Sequence, residues 1–167
     1  LVEKCQGPAY VRLTRQNLPD LSGLMQKTGA KWEATKITKL RDATAGAKKI
    51  VAFASGAGTA EAIKAADLLE GSGRSLAVYN VHSLKPFDEA GVIQAVAGAD
   101  LAISVEDHSV IGGLGSCVAE ALAQLDRHPK LVKFGVQDLF GESGEPDELY
   151  DQHGISGKKI AESLKKI

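Results

Sequence analysis

Three consecutive residues with proton-carrying or metal-binding side chains, Glu106, Asp107 and His108, directly follow an apolar run of strand length. A carboxylate can raise the pKa of an imidazole, and imidazole is a common metal ligand, so the trio could form an acid–base pair or hold an ion. Consecutive side chains point in different directions, however, and a metal would need further ligands, for which His82 is the candidate. The sequence therefore favours a structural or interface role for this cluster over catalysis within the chain.

Two glycine-rich turns, Ser55–Thr59 and Gly112–Gly115, each lead into a predicted helix. Free backbone N–H groups at such a turn can receive an anion. Neither turn has the full glycine pattern of a dinucleotide fingerprint or the lysine of a P-loop, and no acidic residue suited to a ribose follows at the required distance. We interpret the glycines as allowing close packing of helix on strand, and no nucleotide site is predicted.

Arg12 and Arg15 lie near the end of a predicted N-terminal strand, Ala9–Arg15. The planar guanidinium of arginine suits a phosphate or a carboxylate. From the residues alone, ordinary surface or interdomain salt bridging is the simpler explanation for the pair. No Ser-His-Asp or Cys-His nucleophile pair can be placed in proximity.

An alternation of strands and helices must position these residues. Short apolar runs predict strands, and apolar residues at helical spacing predict the helices between them. Thr59, Asp88 and Ser156 are predicted helix caps, and Pro146 suits a first helical turn. The predicted strands are Ile50–Ala54, Leu76–Val81, Leu101–Val105 and Leu131–Val136, and the predicted helices between them are Thr59–Leu69, Glu89–Ala97 and Leu114–Leu125. The pattern predicts an α/β fold of three α/β/α layers with a mostly parallel sheet of about five strands.

The first 48 residues follow a different pattern. Residues 16–20 break the predicted strand, and residues 21–48 are polar and weakly periodic, with Lys31–Leu40 as a candidate edge strand. We divide the chain into a remnant of a preceding domain (residues 1–20), an interdomain linker (residues 21–48) and the main α/β domain (residues 49–167). This layout is typical of a piece of a longer protein, and an irregular N-terminal arm is the alternative.

Composition excludes several classes of partner. Lysine and arginine (20) nearly balance aspartate and glutamate (21), so the chain has no basic surface suited to nucleic acid or an anionic membrane. Its longest apolar run, around Ile50–Ala54, is too short to cross a bilayer. Two cysteines, Cys5 and Cys117, suit a reducing compartment, and neither is expected to be bridged or metal-bound. We expect a cytoplasmic protein.

The order of several motifs resembles the C-terminal domain of transketolases. Tyr10–Pro19, with the sequence Tyr-Val-Arg-Leu-Thr-Arg-Gln-Asn-Leu-Pro, is similar to the closing strand of the transketolase pyrimidine-binding domain. The resemblance covers almost the whole chain, and residues 21–46 contribute least. The motifs of the main domain are Val-Glu-Asp-His at Val105–His108, Gly-Gly-Leu-Gly at Gly112–Gly115, Lys-Pro-Phe-Asp at Lys85–Asp88, Ser143–Gly144 and Glu148–Leu149.

The resemblance implies a part of an enzyme that transfers a two-carbon ketol unit between sugar phosphates, using thiamine diphosphate and a divalent metal, Mg or Ca, at a dimer interface. The domain that holds the cofactor would precede Leu1, so the chain is expected to hold no cofactor and to be inactive alone. Its expected role is assembly with N-terminal transketolase domains or a separate subunit, and it would form one edge of the substrate channel.

The resemblance also implies roles for individual residues. Arg15 matches by position the family arginine that contacts the sugar phosphate, which favours phosphate binding there. Glu106, Asp107 and His108, with Gly112–Gly113, match a family signature that we expect to serve packing and interdomain contact.

Two alternatives stay open. The first is a stand-alone α/β module that binds a small ligand or a partner in a crevice near Ser55, His82 and Glu106, since such crevices often bind ligands. The second lies within the family, because 1-deoxyxylulose-5-phosphate synthase and the β subunits of 2-oxoacid dehydrogenases share the C-terminal fold. The stretch Thr14–Pro19 favours transketolase over both, and dihydroxyacetone synthase stays open as a further alternative within the family.

Overall fold

The computed structural model describes residues 6–167. One helix and one strand come first, followed by an alternation of strands and helices and a final helix pair. The helices are α1 (Ser22–Thr28), α2 (Ala57–Leu68), α3 (Glu89–Ala95), α4 (Leu114–Leu122), α5 (Pro146–Gln152) and α6 (Gly157–Lys166), and the strands are β1 (Thr38–Arg41), β2 (Lys48–Ala54), β3 (Arg74–Asn80), β4 (Leu101–Ser109) and β5 (Lys130–Val136).

The five strands form one sheet in the order β1-β3-β2-β4-β5. Strands β2 to β5 are parallel, and β1 pairs antiparallel with β3 at one edge. We call the side at which the parallel strands end the carboxyl edge. The connections from β2 and β4 leave in opposite directions there, so the ends of these two neighbouring strands form the topological switch point, where open α/β sheets usually bind ligands.

Two apolar layers cover the sheet. One face packs on α2, α5 and α6, and the other packs on α3 and α4. The central strand β2 is buried on both faces, as expected for a parallel strand covered by helices. The predicted α/β/α class with a mostly parallel sheet of about five strands is confirmed.

Of the four features predicted to start helices, three are confirmed and one is wrong, and helices α3 and α4 end earlier than predicted, at Ala95 and Leu122. The Asp88 carboxylate accepts from the Gly91 N–H, the Ser156 hydroxyl accepts from the Lys159 N–H, and Pro146 lies in the first turn of α5. Thr59 does not cap α2, because this helix begins two residues earlier behind Gly56. The Thr59 hydroxyl instead donates to Asn80 Oδ1 at 2.9 Å, since Thr59 is already inside the helix and faces the end of β3.

The N-terminal region differs most from its prediction. The strand predicted at Ala9–Arg15 does not form, because no other strand lies beside it to complete a ladder within residues 6–167. The polar stretch after it contains α1, which the weak periodicity did not predict. Strand β1 confirms an edge strand near the one proposed, but shifted toward its C-terminal end. Residues 1–5, which include Cys5, lie outside the described part.

No helix in the described part of the chain combines the length and the apolar character needed to cross a bilayer.

Candidate functional site

Glu106 occupies the buried centre of the junction between β4 and α4. Glu106 is 2% exposed, and its two carboxylate oxygens accept hydrogen bonds from the backbone N–H groups of Leu114 (2.7 Å) and Gly115 (2.8 Å). The first N–H groups of a helix lack partners within the helix, and the N-cap residue here, Gly113, has no side chain to offer. Glu106 therefore caps α4 from the preceding strand, and its acceptor oxygens are occupied by the helix.

There is no room for a side chain at Gly113. A Cβ placed on it would overlap Glu106 Oε2 and lie 2.8 Å from the Ser109 carbonyl oxygen. Its neighbour Gly112 has open space but a left-handed backbone with φ 71°. Gly113 is therefore required because no side chain fits there, and Gly112 is required because of its backbone conformation.

The three adjacent polar side chains of the signature do not meet. Glu106 points into the core, Asp107 Oδ2 lies 3.2 Å from the phenol oxygen of Tyr150, and His108 is exposed with Nδ1 3.1 Å from the Ser109 carbonyl oxygen. Each side chain thus faces a different part of the molecule. The structure does not assemble them into an acid–base pair or a metal site.

The N-terminal segment, residues 6–20, lies against this junction. One guanidinium N–H of Arg12 donates to the Asp107 carbonyl oxygen at 3.2 Å. Gln16 Oε1 lies 2.9 Å from the Tyr150 phenol oxygen, and Gln16 is the one residue among residues 6–20 that is partly buried. Arg15 is exposed and, among residues 6–167, its guanidinium makes no hydrogen bond or ion pair. The segment is therefore attached at two points, with Arg15 between them.

Sequence reasoning missed Tyr150 and Gln16. The partners of the Tyr150 phenol are 43 and 134 positions away along the chain, so no local spacing could reveal them. The only local signal was a tyrosine on the buried side of α5.

The switch-point crevice is filled by the protein itself. The Ser55 N–H donates to the Val105 carbonyl oxygen at 3.1 Å, and a Cβ on Gly58 would lie 2.7 Å from that same oxygen. The start of α2 thus packs directly on the backbone of β4. Ser55 is thus bonded to β4, whereas Glu106 is bonded to α4 and His82 contacts the linker.

His82 belongs to a separate group of contacts at the end of β3. Its Nε2 lies 2.8 Å from the Glu33 carbonyl oxygen, and its ring stacks on Trp32 with centroids 5.2 Å apart. Asn80 Nδ2 lies 3.5 Å from His82 Nδ1. These contacts join the linker to the sheet, and within residues 6–167 no three histidine, cysteine, aspartate or glutamate side chains are placed to bind a metal.

Cys117, on α4, is a free thiol. Burial raises its pKa, and the nearby carboxylates of Glu120 and Glu106 raise it further. A raised pKa keeps the thiol protonated near neutral pH, whereas the thiolate is the nucleophile. Cys117 is therefore poorly suited to nucleophilic catalysis.

Large apolar side chains are exposed in the connections along the carboxyl edge. Phe140 is 99% exposed, and Tyr10 and Leu13 on the N-terminal segment are 90% and 85% exposed. The loops that follow parallel strands lie at one edge of the sheet, and several large apolar side chains exposed at one edge favour an interaction site over isolated exposure. The exposed members in the loops after β3, β4 and β5 are Leu84, Ile111, Leu139 and Phe140.

Comparison with known proteins identifies the class to which this fold and edge belong. Residues 42–160 match the family model described as transketolase, C-terminal domain. The chain belongs to the transketolase family and carries its C-terminal domain.

Several relatives align over nearly the whole chain. A provisionally named transketolase C-terminal section of Methanocaldococcus jannaschii is 33% identical over 98% of this chain and 49% of its own length. The 6-deoxy-6-sulfo-D-fructose transketolase subunit SqwH of Clostridium sp. (strain MSTE9) is 34% identical over 96% of this chain and 47% of its own length. The chain spans about half the length of these relatives.

A solved structure described as a split gene transketolase, inactive beta4 tetramer, superimposes with a TM-score of 0.82 at 33% identity. The superposition includes 98% of this chain and 50% of the chain in that structure. A 1-deoxy-D-xylulose-5-phosphate synthase of Chlorobium luteolum is 31% identical over 97% of this chain and 25% of its own length. Both kinds of relative extend the match beyond the C-terminal domain into the N-terminal segment.

Proposed function

We propose that this chain forms the C-terminal part of a transketolase that transfers a two-carbon ketol unit between sugar phosphates with thiamine diphosphate. The observation that carries the proposal is the carboxyl edge, which is filled inside by Gly58 and Glu106 and lined outside by exposed apolar side chains such as Phe140. Such an edge suits a protein interface better than a small-molecule pocket. Its partner is the N-terminal section of the same enzyme, on the same polypeptide or a separate subunit, in a homodimeric assembly of the cytoplasm.

The side chains of residues 6–167 provide no site that fits the cofactor. A divalent metal such as Mg or Ca needs several oxygen ligands, and residues 6–167 provide no convergent group of carboxylates. The first free N–H groups of α4, which could receive a diphosphate, are occupied by Glu106. We therefore assign thiamine diphosphate and its metal to the N-terminal section, and no chemical step is assigned to the residues of this chain.

Within the assembled enzyme, Arg15 is the residue of this chain proposed to contact the phosphate of a sugar substrate. Its exposed guanidinium offers several N–H donors in a planar fork that matches phosphate oxygens. Arg15→Ala should raise KM for a sugar phosphate at least tenfold, and Arg15→Lys should recover part of the loss. Arg127→Ala is the matched control, because Arg127 is exposed in the turn before β5 at the opposite edge.

The assembly is tested by mixing. The chain alone, supplied with thiamine diphosphate, magnesium, a ketose phosphate and an aldose phosphate, should give no ketol transfer. Addition of the N-terminal section from the same organism should give transfer together with a complex on size-exclusion chromatography. Turnover by the chain alone, or a mixture that neither binds nor reacts, would contradict the proposal.

Substitution of His108 distinguishes an interface role of this residue from a catalytic one. Because it is exposed beside the apolar edge, we expect His108→Ala to weaken the complex more than it lowers kcat. A large loss of kcat in a complex of unchanged affinity would instead place His108 in the chemistry. A second mixture, with pyruvate in place of the ketose phosphate and glyceraldehyde 3-phosphate as acceptor, should be assayed for CO2 and 1-deoxy-D-xylulose 5-phosphate. Their formation would move the chain to the other branch of its relatives.

A further inference from the structure

Tyr150 places a phenol oxygen at the meeting point of three parts of the chain. The residue is 7% exposed, and its ring packs in the apolar layer beneath α2 and α6. Its carbonyl oxygen accepts from the N–H groups of Ile155 (2.8 Å) and Ser156 (3.0 Å), which fixes the backbone at the turn into α6. The phenol is thus held in a rigid part of the domain while its oxygen faces Gln16 and Asp107.

Asp107 contacts the N-terminal segment by a second route. Its carbonyl oxygen accepts from Arg12, while its carboxylate faces the Tyr150 phenol. The phenol has one hydrogen and two acceptor oxygens within reach, Gln16 Oε1 at 2.9 Å and Asp107 Oδ2 at 3.2 Å. Burial raises the pKa of Tyr150, and the Asp107 carboxylate raises it further, so the phenol remains a donor throughout the neutral range.

The two attachments enclose Arg15. Arg12 and Gln16 are four residues apart, a distance of at most about 14 Å in an extended chain. With both ends of that stretch attached to the domain, the backbone that carries Arg15 can sample far fewer positions than a free arm. The remaining residues of the segment are exposed, so these two contacts are the observed polar attachments that hold Arg15 near the carboxyl edge.

We infer that Tyr150 and Asp107 are positioning residues, which clamp the segment between Arg12 and Gln16 and thereby place Arg15 beside the carboxyl edge. The clamp itself stands on the contacts within this chain, whereas its effect on a sugar phosphate rests on the proposed function. Two measurements separate these two claims.

The first measurement is limited trypsin digestion of the chain, since the segment carries two cleavage sites, after Arg12 and after Arg15. Tyr150→Phe keeps the buried ring and removes only the phenol oxygen, and it should speed cleavage at both sites at least threefold. Tyr79→Phe is the matched control, because its half-buried phenol lies on β3, next to the β1 edge of the sheet. Equal cleavage rates in Tyr150→Phe and Tyr79→Phe would overturn the clamp.

A second variant keeps the test decisive if the core substitution disturbs folding. Gln16→Ala removes the other partner of the phenol from a segment outside the apolar core, so the domain should keep its circular dichroism spectrum and Tm. Its cleavage after Arg15 should be faster by a similar factor. A Gln16→Ala chain as resistant as the parent would overturn the clamp.

The second measurement uses the enzyme reconstituted with its N-terminal section. Tyr150→Phe and Gln16→Ala should raise KM for a sugar phosphate severalfold, leave kcat within about twofold, and leave KM for the non-phosphorylated sugar unchanged. Faster trypsin cleavage with an unchanged KM would overturn the positioning role but would still support the clamp. A parent mixture with no ketol transfer would instead overturn the proposed function.

Discussion

The β4–α4 junction and the N-terminal segment touch at Asp107, yet they are held in opposite ways. The junction is buried, with its helix N–H groups bonded to Glu106 and with no room for a side chain at Gly113. The segment is exposed and is attached through Arg12 and Gln16. The side chains that could do chemistry, judged from the sequence, therefore build the scaffold. The residue proposed to meet substrate, Arg15, is instead presented on an exposed segment that is attached at two points.

The largest expected effect is that of Glu106→Ala. Two buried N–H groups would lose a charged acceptor, which should lower the free energy of unfolding by about 4 kcal/mol. Glu106→Gln retains one acceptor oxygen and should cost less. Urea denaturation provides the measurement, with the exposed Glu162→Ala as control, expected within about 0.5 kcal/mol of the parent. A cost below about 1 kcal/mol for Glu106→Ala would remove the contrast between the two regions.

The next largest loss in the free energy of unfolding is expected for Gly113→Ala. The added methyl would push the Glu106 carboxylate off the helix, at a cost of about 2–3 kcal/mol. Gly112→Ala, which meets open space but a positive φ, should cost about 1 kcal/mol. In a Glu106→Ala background the cost of Gly113→Ala should shrink, because the overlapping oxygen is gone, and a double-mutant cycle would measure this coupling. Additive costs would show that the two residues act independently.

Asp88 anchors the linker and gives an intermediate effect with a defined pH dependence. Burial alone would raise its pKa, but hydrogen bonds from Lys36 Nζ and from the N–H groups of Ile37 and Gly91 outweigh burial and lower it. Because the folded pKa lies below the unfolded value, the stabilisation is present above about pH 4 and is lost as pH falls through the folded pKa. Asp88→Asn should cost about 1–2 kcal/mol at pH 7 and less at pH 3. An equal cost at both pH values would assign the effect to packing.

The smallest expected change in stability is that of Arg15→Ala. Its side chain is exposed and, in the described part of the chain, makes no hydrogen bond or ion pair, so the free energy of unfolding should change by less than about 0.5 kcal/mol. The same urea titration measures it. A cost near that of Asp88→Asn would mean that the segment shares in the packing of the domain, and the contrast with the junction would weaken.

The alternating elements, the three-layer class and the caps at Asp88 and Ser156 could be predicted, since they depend on local periodicity and on side chains within one turn of a helix end. The strand at Ala9–Arg15 could not be excluded locally, because a β-branched and aromatic run becomes a strand only when another strand pairs with it. The helix α1 gave too little apolar periodicity to be recognised, and its C-terminal Thr28 contacts the Lys39 carbonyl oxygen of β1 at 2.8 Å.

The sequence by itself determined the family and the order of strands and helices, because both are written in motifs and spacings along the chain. Only the tertiary structure decided what Glu106 and Tyr150 do. A carboxylate at a strand end can act on a ligand, a metal or a helix, and its partner depends on where the next helix begins in space. The close approach of Gly113 to Glu106 leaves that carboxylate bonded to the helix, and the close approach of Gly58 to the Val105 carbonyl fills the crevice. Folding brings Tyr150 to Gln16, which is 134 residues away along the chain.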